Sequence, residues 1–158
     1  MTEEKIKLVV TGCCGRMGSL VLSLAATTSA DRYNVIGAIE HKGHPGVGKN
    51  LDLNGRKIVV SDKIEDFLSY ADLIIEFTTP EASILHAVAA SQAGVPMVIG
   101  TTGFSEDQFA QLRLLSKHTP IFWSPNMSLG VFAYRKALVS FISILNRLGL
   151  PLESNDIE

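Results

Sequence analysis

Residues 6 to 18 read Ile-Lys-Leu-Val-Val-Thr-Gly-Cys-Cys-Gly-Arg-Met-Gly, an apolar, β-branched run that breaks into glycines and passes without a linker into an amphipathic stretch. The pattern predicts a strand over 6–11 and a helix from about residue 16 to 28, with Met17, Leu20, Val21, Leu24 and Ala25 on one buried face. Glycines at such a turn let the backbone reverse sharply and approach an anion closely. The free N–H groups and dipole of the new helix attract the anion's charge. The spacing is Gly12-x-x-Gly15-x-x-Gly18. The common G-x-G-x-x-G would need glycine where Cys14 and Met17 stand. A second strand, Asn34 to Ile39, ends in Glu40, about 20 residues past the glycines, where an acidic residue can hold an adenosine ribose. Together these features predict a dinucleotide-binding turn.

The rest of the chain repeats the β-α alternation. Strands are expected at 57–61, 72–77, 96–99 and 120–123, and helices at 64–69, 80–93, 105–117 and 128–148. Thr79-Pro80-Glu81 supplies a cap, a first-turn proline and an acid at a helix start, and Gly94 with Pro96 closes that helix. Ser105 and Gln108 have capping-box spacing. The fold class is α/β, a Rossmann-type doubly wound parallel sheet of about six strands, whose ligands lie at the carboxyl ends of the strands. The tips Gly12 to Met17, Glu40, Thr78-Thr79, Gly100 to Thr102 and Ser124 to Met127 all fall on that rim.

At 158 residues the chain accommodates one full domain, and its formal charge of -2 offers no basic excess for a nucleic-acid partner. No uninterrupted apolar run reaches the roughly 18 residues of a membrane span, and the N-terminus carries no signal-peptide core, so a cytoplasmic protein without a membrane partner is expected. Cys13 and Cys14 are adjacent, which disfavours a bridge between them, and two cysteines alone make no zinc site; no metal is expected. They read either as small residues tolerated in a tight loop or as a thiolate activated by the helix N-terminus. His41 and His44 are too irregularly placed for a metal motif, and His86 reads as a partly packed helix residue. The last helix is apolar over most of its circumference, from Val131 to Leu148, and is expected to contact another domain or subunit. Gly149 and Pro151 stop it.

Gly12-Cys13-Cys14-Gly15-Arg16-Met17-Gly18, Glu40, Glu76-Phe77-Thr78-Thr79-Pro80-Glu81, Val98-Ile99-Gly100-Thr101-Thr102-Gly103-Phe104 and Asn126-Met127-Ser128-Leu129-Gly130-Val131, in that order, resemble bacterial dihydrodipicolinate reductase over essentially the whole chain. The resemblance implies reduction of 4-hydroxy-tetrahydrodipicolinate to tetrahydrodipicolinate with NADH or NADPH, on the route to diaminopimelate and lysine. By position, Gly12, Cys13, Cys14, Gly15, Arg16 and Met17 would cradle the pyrophosphate, and Glu40 would bind the adenosine ribose with His41 beside it. Gly100, Thr101, Thr102, Ser124, Pro125, Asn126 and Met127 would frame the nicotinamide half, and Thr102 would offer one hydroxyl to the substrate. Residues 1–127 are then the dinucleotide-binding domain, and 128–158 a linking helix and the start of a substrate domain.

The family continues with a Glu-Ala-His-His…Lys…Asp-Ala-Pro-Ser-Gly-Thr segment that this sequence does not contain. By the resemblance, the family's histidine and lysine would lie beyond Glu158, the last residue of the sequence. No catalytic residue is therefore assigned, and the chain alone is not expected to turn substrate over. Self-association or a missing C-terminal domain is expected. A non-catalytic NAD(P)-binding module and one half of a split enzyme remain the alternatives.

Overall fold

The computed structural model describes residues 4–150. The helix stop at Pro151 and the tail from there to Glu158, which the sequence reading gives to the start of a substrate domain, lie outside the described residues. Two compact units are distinguished, residues 1–125 and 126–158. In the first, strand β1 (Ile6–Thr11) leads into helix α1 (Arg16–Ala26) and strand β2 (Tyr33–Ile39). A hairpin of β3 (Asn50–Leu53) and β4 (Arg56–Ser61) is followed by a short helix α2 (Glu65–Leu68) and β5 (Leu73–Glu76). Then come α3 (Pro80–Ala93), β6 (Met97–Ile99), α4 (Glu106–Leu115) and β7 (Ile121–Trp123).

The sheet order is β3-β4-β2-β1-β5-β6-β7, parallel throughout except for the β3–β4 pair. The doubly wound sheet is thus as expected, with one strand more than the sequence suggested. That strand, β3, pairs antiparallel with β4 across Asn54 (φ 56°) and Gly55 (φ 85°). Asn-Gly favours a tight two-residue turn with both residues at positive φ, so a readable signal was present. The topological switch lies between β1 and β5, which pair in register with Thr11 opposite Glu76. Their carboxyl ends diverge there into separate loops and open the crevice in which such sheets bind ligands.

Successive side chains of a strand point to opposite faces, and β1 shows the consequence. Leu8 and Val10 pack with Leu22, Ala25, Val35 and Ile58 on the α1 face, whereas Val9 packs with Ile74, Ala87, Ala90 and Met97 on the other. The caps form as the sequence predicts. Thr79 Oγ1 accepts from Ala82 N, and Ser105 and Gln108 exchange both bonds of a capping box.

The rotation of α1 differs from expectation. Its buried residues are Gly18, Leu22 and Ala25, and Met17, Leu20 and Leu24 are each about half exposed. The cause is backbone contact: a Cβ at Gly18 would lie 2.0 Å from the Gly12 carbonyl oxygen. Gly18 therefore faces the turn, and it carries the stripe at i+4 and i+7 inward with it.

The second unit contains helix α5 (Leu129–Arg147), whose N-cap Ser128 accepts from Val131 N while Asn126 Oδ1 accepts from Ser128 N. None of its residues is buried. An 18-residue window of α5 has a mean hydropathy of 1.3, enough by length and composition to cross a membrane, although no uninterrupted apolar run reaches that length. The interruption is Arg135-Lys136, near the middle of the helix. Each such cation costs about 2.5–3.5 kcal/mol at a bilayer centre.

Candidate functional site

The turn after β1 is built from close backbone approaches. Gly12 has φ +67°, and a Cβ there would lie 2.1 Å from the Phe77 carbonyl oxygen, on the neighbouring strand end. Gly15 N–H donates to the Gly12 carbonyl (3.0 Å) and Cys13 N–H to that of Ile39 (3.1 Å). Gly15 then caps α1 with no side chain bonded to the first turn, and no acidic residue stands in that turn. The helix's own cap and first turn thus place no anion on its leading N–H groups, a favourable place for a phosphate. Arg16 and Met17, on the first turn, are exposed.

Glu40 closes one side. Its Oε2 accepts from Cys14 N (3.0 Å) and its Oε1 from His41 N (3.1 Å), so the carboxylate is held beside the glycine turn by two backbone donors. A cleft of about 500 Å³ opens there, lined by Gly12, Cys14, Gly15, Glu40 and His41 from the predicted set. Lys42, His44 and Asp62 join them, as do Phe77, Thr78, Thr79 and His86 from the β5–α3 segment.

Beneath the cleft lies a group to which the sequence reading gives no role. Glu76, the last residue of β5, is fully buried. Its Oε2 accepts from Thr11 Oγ1 (2.6 Å) and His86 Nδ1 (2.7 Å), and its Oε1 from Ser83 Oγ (3.0 Å) and Thr78 Oγ1. Burial pushes the carboxyl up, but the His86 hydrogen bond and charge, with Thr11 and Thr78, outweigh it and hold Glu76 below its ordinary range. Thr101 extends the network, its Oγ1 accepting from Thr78 N (3.0 Å) and donating to Ser83 Oγ (2.8 Å), whose own proton goes to Glu76. One buried carboxylate thus ties the end of β1, the loop after β5 and helix α3 together, and Ser83 passes the linkage to the loop after β6. His86 owes its orientation to this contact. The available signal was a carboxylate ending an otherwise apolar strand, ten residues before a histidine on the next helix.

Of the residues expected around the nicotinamide half, Thr101 is buried and its carbonyl accepts from Trp123 Nε1 (2.9 Å), so its polar groups already serve the protein. Thr102 is exposed at the same strand end. Gly100 is packed so closely on the Phe77 ring that a Cβ would lie 2.0 Å from it. Ser124 N donates to Ile99 O (3.1 Å), which sets the end of β7 beside that of β6. Pro125 is exposed, and Asn126 and Met127 belong to the second unit. Glu158, past which the family's histidine and lysine are expected, is outside the described residues.

Cys13 is buried, and burial first, with the neighbouring Cys14 and Glu40, pushes its thiol up and away from the thiolate form. This does not fit an activated nucleophile at that position. Cys14 is half-buried, with its sulfur 3.8 Å from that of Cys13.

A family model described as "Dihydrodipicolinate reductase, N-terminus" matches residues 6–127. Among curated relatives, the 4-hydroxy-tetrahydrodipicolinate reductase of Anaeromyxobacter dehalogenans (strain 2CP-C) is 42% identical over 129 residues, covering 79% of this chain and 47% of the relative. That of Polynucleobacter necessarius subsp. necessarius (strain STIR1) is 37% identical, covering 84% and 50%. The chain spans about half the length of the curated relatives it matches. Among solved structures, the dipicolinate-bound dihydrodipicolinate reductase from Paenisporosarcina sp. TG-14 superposes with a TM-score of 0.62 at 22% identity, covering 80% of this chain and 49% of that one. An aspartate semialdehyde dehydrogenase II from Vibrio cholerae gives 0.61 at 19%, covering 78% and 42%. These structural likenesses establish the fold.

Proposed function

The chain belongs to the dihydrodipicolinate reductase family through its N-terminal domain, and from that premise we propose that it is the NAD(P)H-binding part of a cytoplasmic 4-hydroxy-tetrahydrodipicolinate reductase in the lysine and diaminopimelate route. The observation that carries this reading is the backbone cradle at Gly12, Gly15 and Gly18, where a Cβ at either end would collide with a carbonyl oxygen at 2.1 or 2.0 Å. Such a turn, opening an uncapped helix N-terminus beside Glu40, fits a dinucleotide's pyrophosphate and ribose.

Gly12 to Met17 would hold the pyrophosphate through backbone N–H groups, and Glu40 would accept from the ribose hydroxyls. The loops at Gly100–Thr102 and Ser124–Met127 would flank the nicotinamide, with Thr102 offering its hydroxyl to a substrate carboxylate. When bound, the nucleotide supplies a hydride for reduction of the cyclic substrate. The chain's own contribution is to bind, to orient and to keep the loops in register, the last through the Glu76 network. The exposed apolar residues of α5, among them Phe132, Val139, Phe141 and Ile144, are read as a surface for self-association or a further domain. A concentration-dependent mass in sedimentation would support self-association.

Calorimetry tests the central claim. The folded 158-residue chain should bind NADH or NADPH with measurable heat, and Gly15→Glu, which places a carboxylate in the pyrophosphate's space, should abolish it. Absence of binding by folded wild-type protein would exclude the reading.

A further inference from the structure

We propose that Cys13, Cys14 and Glu40 form a binding site for a thiophilic divalent cation of the Zn²⁺ class at the mouth of the glycine turn. Two adjacent cysteines alone would not suffice, and the sequence reading excludes a metal for that reason. The fold adds a third donor from another strand. One ligand atom from each residue, two sulfurs and a carboxylate oxygen, lies within 4.8 Å of the other two. The sulfurs are 3.8 Å apart, and two thiolates at about 2.3 Å from a tetrahedral Zn²⁺ stand about 3.8 Å from each other. Closing the site therefore asks little of the sulfur pair.

The surroundings favour a cation. Glu40 is already oriented by Cys14 N (3.0 Å) and His41 N (3.1 Å), and each oxygen retains a lone pair for a metal. Each thiol releases its proton to solvent as its sulfur–metal bond forms. Cys14 and Glu40 line the cleft while Cys13 is buried behind them, so the ion has an entry path and water from the cleft completes its fourth position. Thiolates with one carboxylate select Zn²⁺ or Cd²⁺ over Mg²⁺ and Ca²⁺.

One consequence rests on the nucleotide reading above: metal and ribose would draw on the same Glu40 carboxylate, so each is expected to weaken the other's binding. The two ideas fail separately. Nucleotide binding is measured with metal removed, and metal binding with nucleotide absent.

The decisive experiment titrates the reduced 158-residue chain with Cd²⁺ and follows the sulfur-to-cadmium charge-transfer absorption. Saturation at one equivalent is expected, with Mg²⁺ producing no competition. Cys14→Ser and Cys13→Ser should each weaken binding by at least the roughly 10- to 100-fold that follows loss of a supporting residue alone, and Glu40→Gln should do so with both sulfurs intact. Cys13 is buried, so far-UV circular dichroism checks that variant's fold, and half-exposed Cys14 keeps the test alive if Cys13→Ser unfolds. No charge-transfer band in the wild type, or an affinity unchanged in Glu40→Gln, would overturn the site.

Discussion

Glu76 and His86 meet beneath the cleft with Nδ1 2.7 Å from Oε2, the carboxylate fully buried and the imidazole reaching the cleft wall. A buried carboxylate is tolerated because its lone pairs are occupied. Removing one donor should cost about 1–3 kcal/mol, so His86→Ala is expected to lower the unfolding free energy read from urea denaturation by that amount.

The same pair sets an acid limit. A carboxyl with a folded pKa below its unfolded value contributes stability above the unfolded value, and loses it as pH falls through the folded one. For Glu76 that loss develops below about pH 4.5, the ordinary value from which it is lowered. Glu76→Gln should therefore be less stable than wild type at neutral pH and show a flatter decline through the acid range. Parallel stability–pH curves for the two proteins would contradict the assignment.

Gly18→Ala should be among the most damaging single-atom additions to this chain. Its Cβ would lie 2.0 Å from a backbone oxygen and 2.7 Å from the carbonyl carbon of Gly12, neither of which can rotate away. Overpacking of this kind costs about 3 kcal/mol or more when the obstacle is main chain. Gly43→Ala is the control. With φ +87° and open space around it, it meets only the left-handed backbone penalty of about 1–2 kcal/mol. Chemical denaturation of both variants measures the difference, and equal losses would mean that the turn relaxes freely.

Local chemistry was legible in advance and contact-determined geometry was not. Ser105 with Gln108, Thr79 before Pro80, and Gly94 carry their structural meaning within a few residues, and each forms the cap its sequence predicts. The facing of α1 depends instead on Gly18 meeting Gly12 across the turn, so of the stripe that hydrophobic spacing favoured, Val21 and Ala25 meet the core while Met17, Leu20 and Leu24 stand about half exposed. The glycine turn and Glu40 could be placed together because about 20 residues of β-α-β fix their distance. Glu76 could not be explained so, since Thr11 lies 65 residues away and is brought in by the parallel register of β1 and β5, while His86, ten residues on, is brought in by the packing of α3 over the strand end. The Cys13–Cys14–Glu40 grouping has the same origin, its third donor arriving from 26 residues on.

Cofactor choice should be loose, with a lean toward NADH. Glu40, fixed by two backbone N–H groups, suits a free ribose 2′-hydroxyl and repels a 2′-phosphate. His41 and Lys42 line the same cleft and offer that phosphate a partial counter-charge, His41 only when protonated. Paired calorimetric titrations at neutral pH are expected to differ modestly. A preference for NADPH above about a hundredfold, worth roughly 2.7 kcal/mol, would mean that Glu40 does not face the ribose.

The 158-residue polypeptide, assayed alone, is expected to reduce the dihydrodipicolinate-type substrate at no useful rate. A dianionic substrate needs cationic or N–H donors at both carboxylates and an acid for the charge that develops on reduction. At the end of β6 the first unit presents the exposed hydroxyl of Thr102, while Lys42, His41 and Thr79 line the cleft beside the glycine turn and Glu40. Thr101 is turned to the Thr78–Ser83 network, and His86 is bound to Glu76. Holding two reactants near 3 to 3.5 Å in a productive orientation can supply roughly 7 to 11 kcal/mol of barrier lowering, and one hydroxyl cannot provide that. The resemblance implies that the family's grip comes from His-His…Lys and Ser-Gly-Thr segments, which this sequence does not contain. Loss of those groups should therefore lower kcat/KM by several powers of ten while nucleotide binding persists. The assay is oxidation of NADH followed by its absorbance with freshly generated substrate, run beside a full-length relative. Turnover comparable to that relative, from protein of verified mass, would show that the first unit and α5 hold catalytic groups that the site assignment has missed.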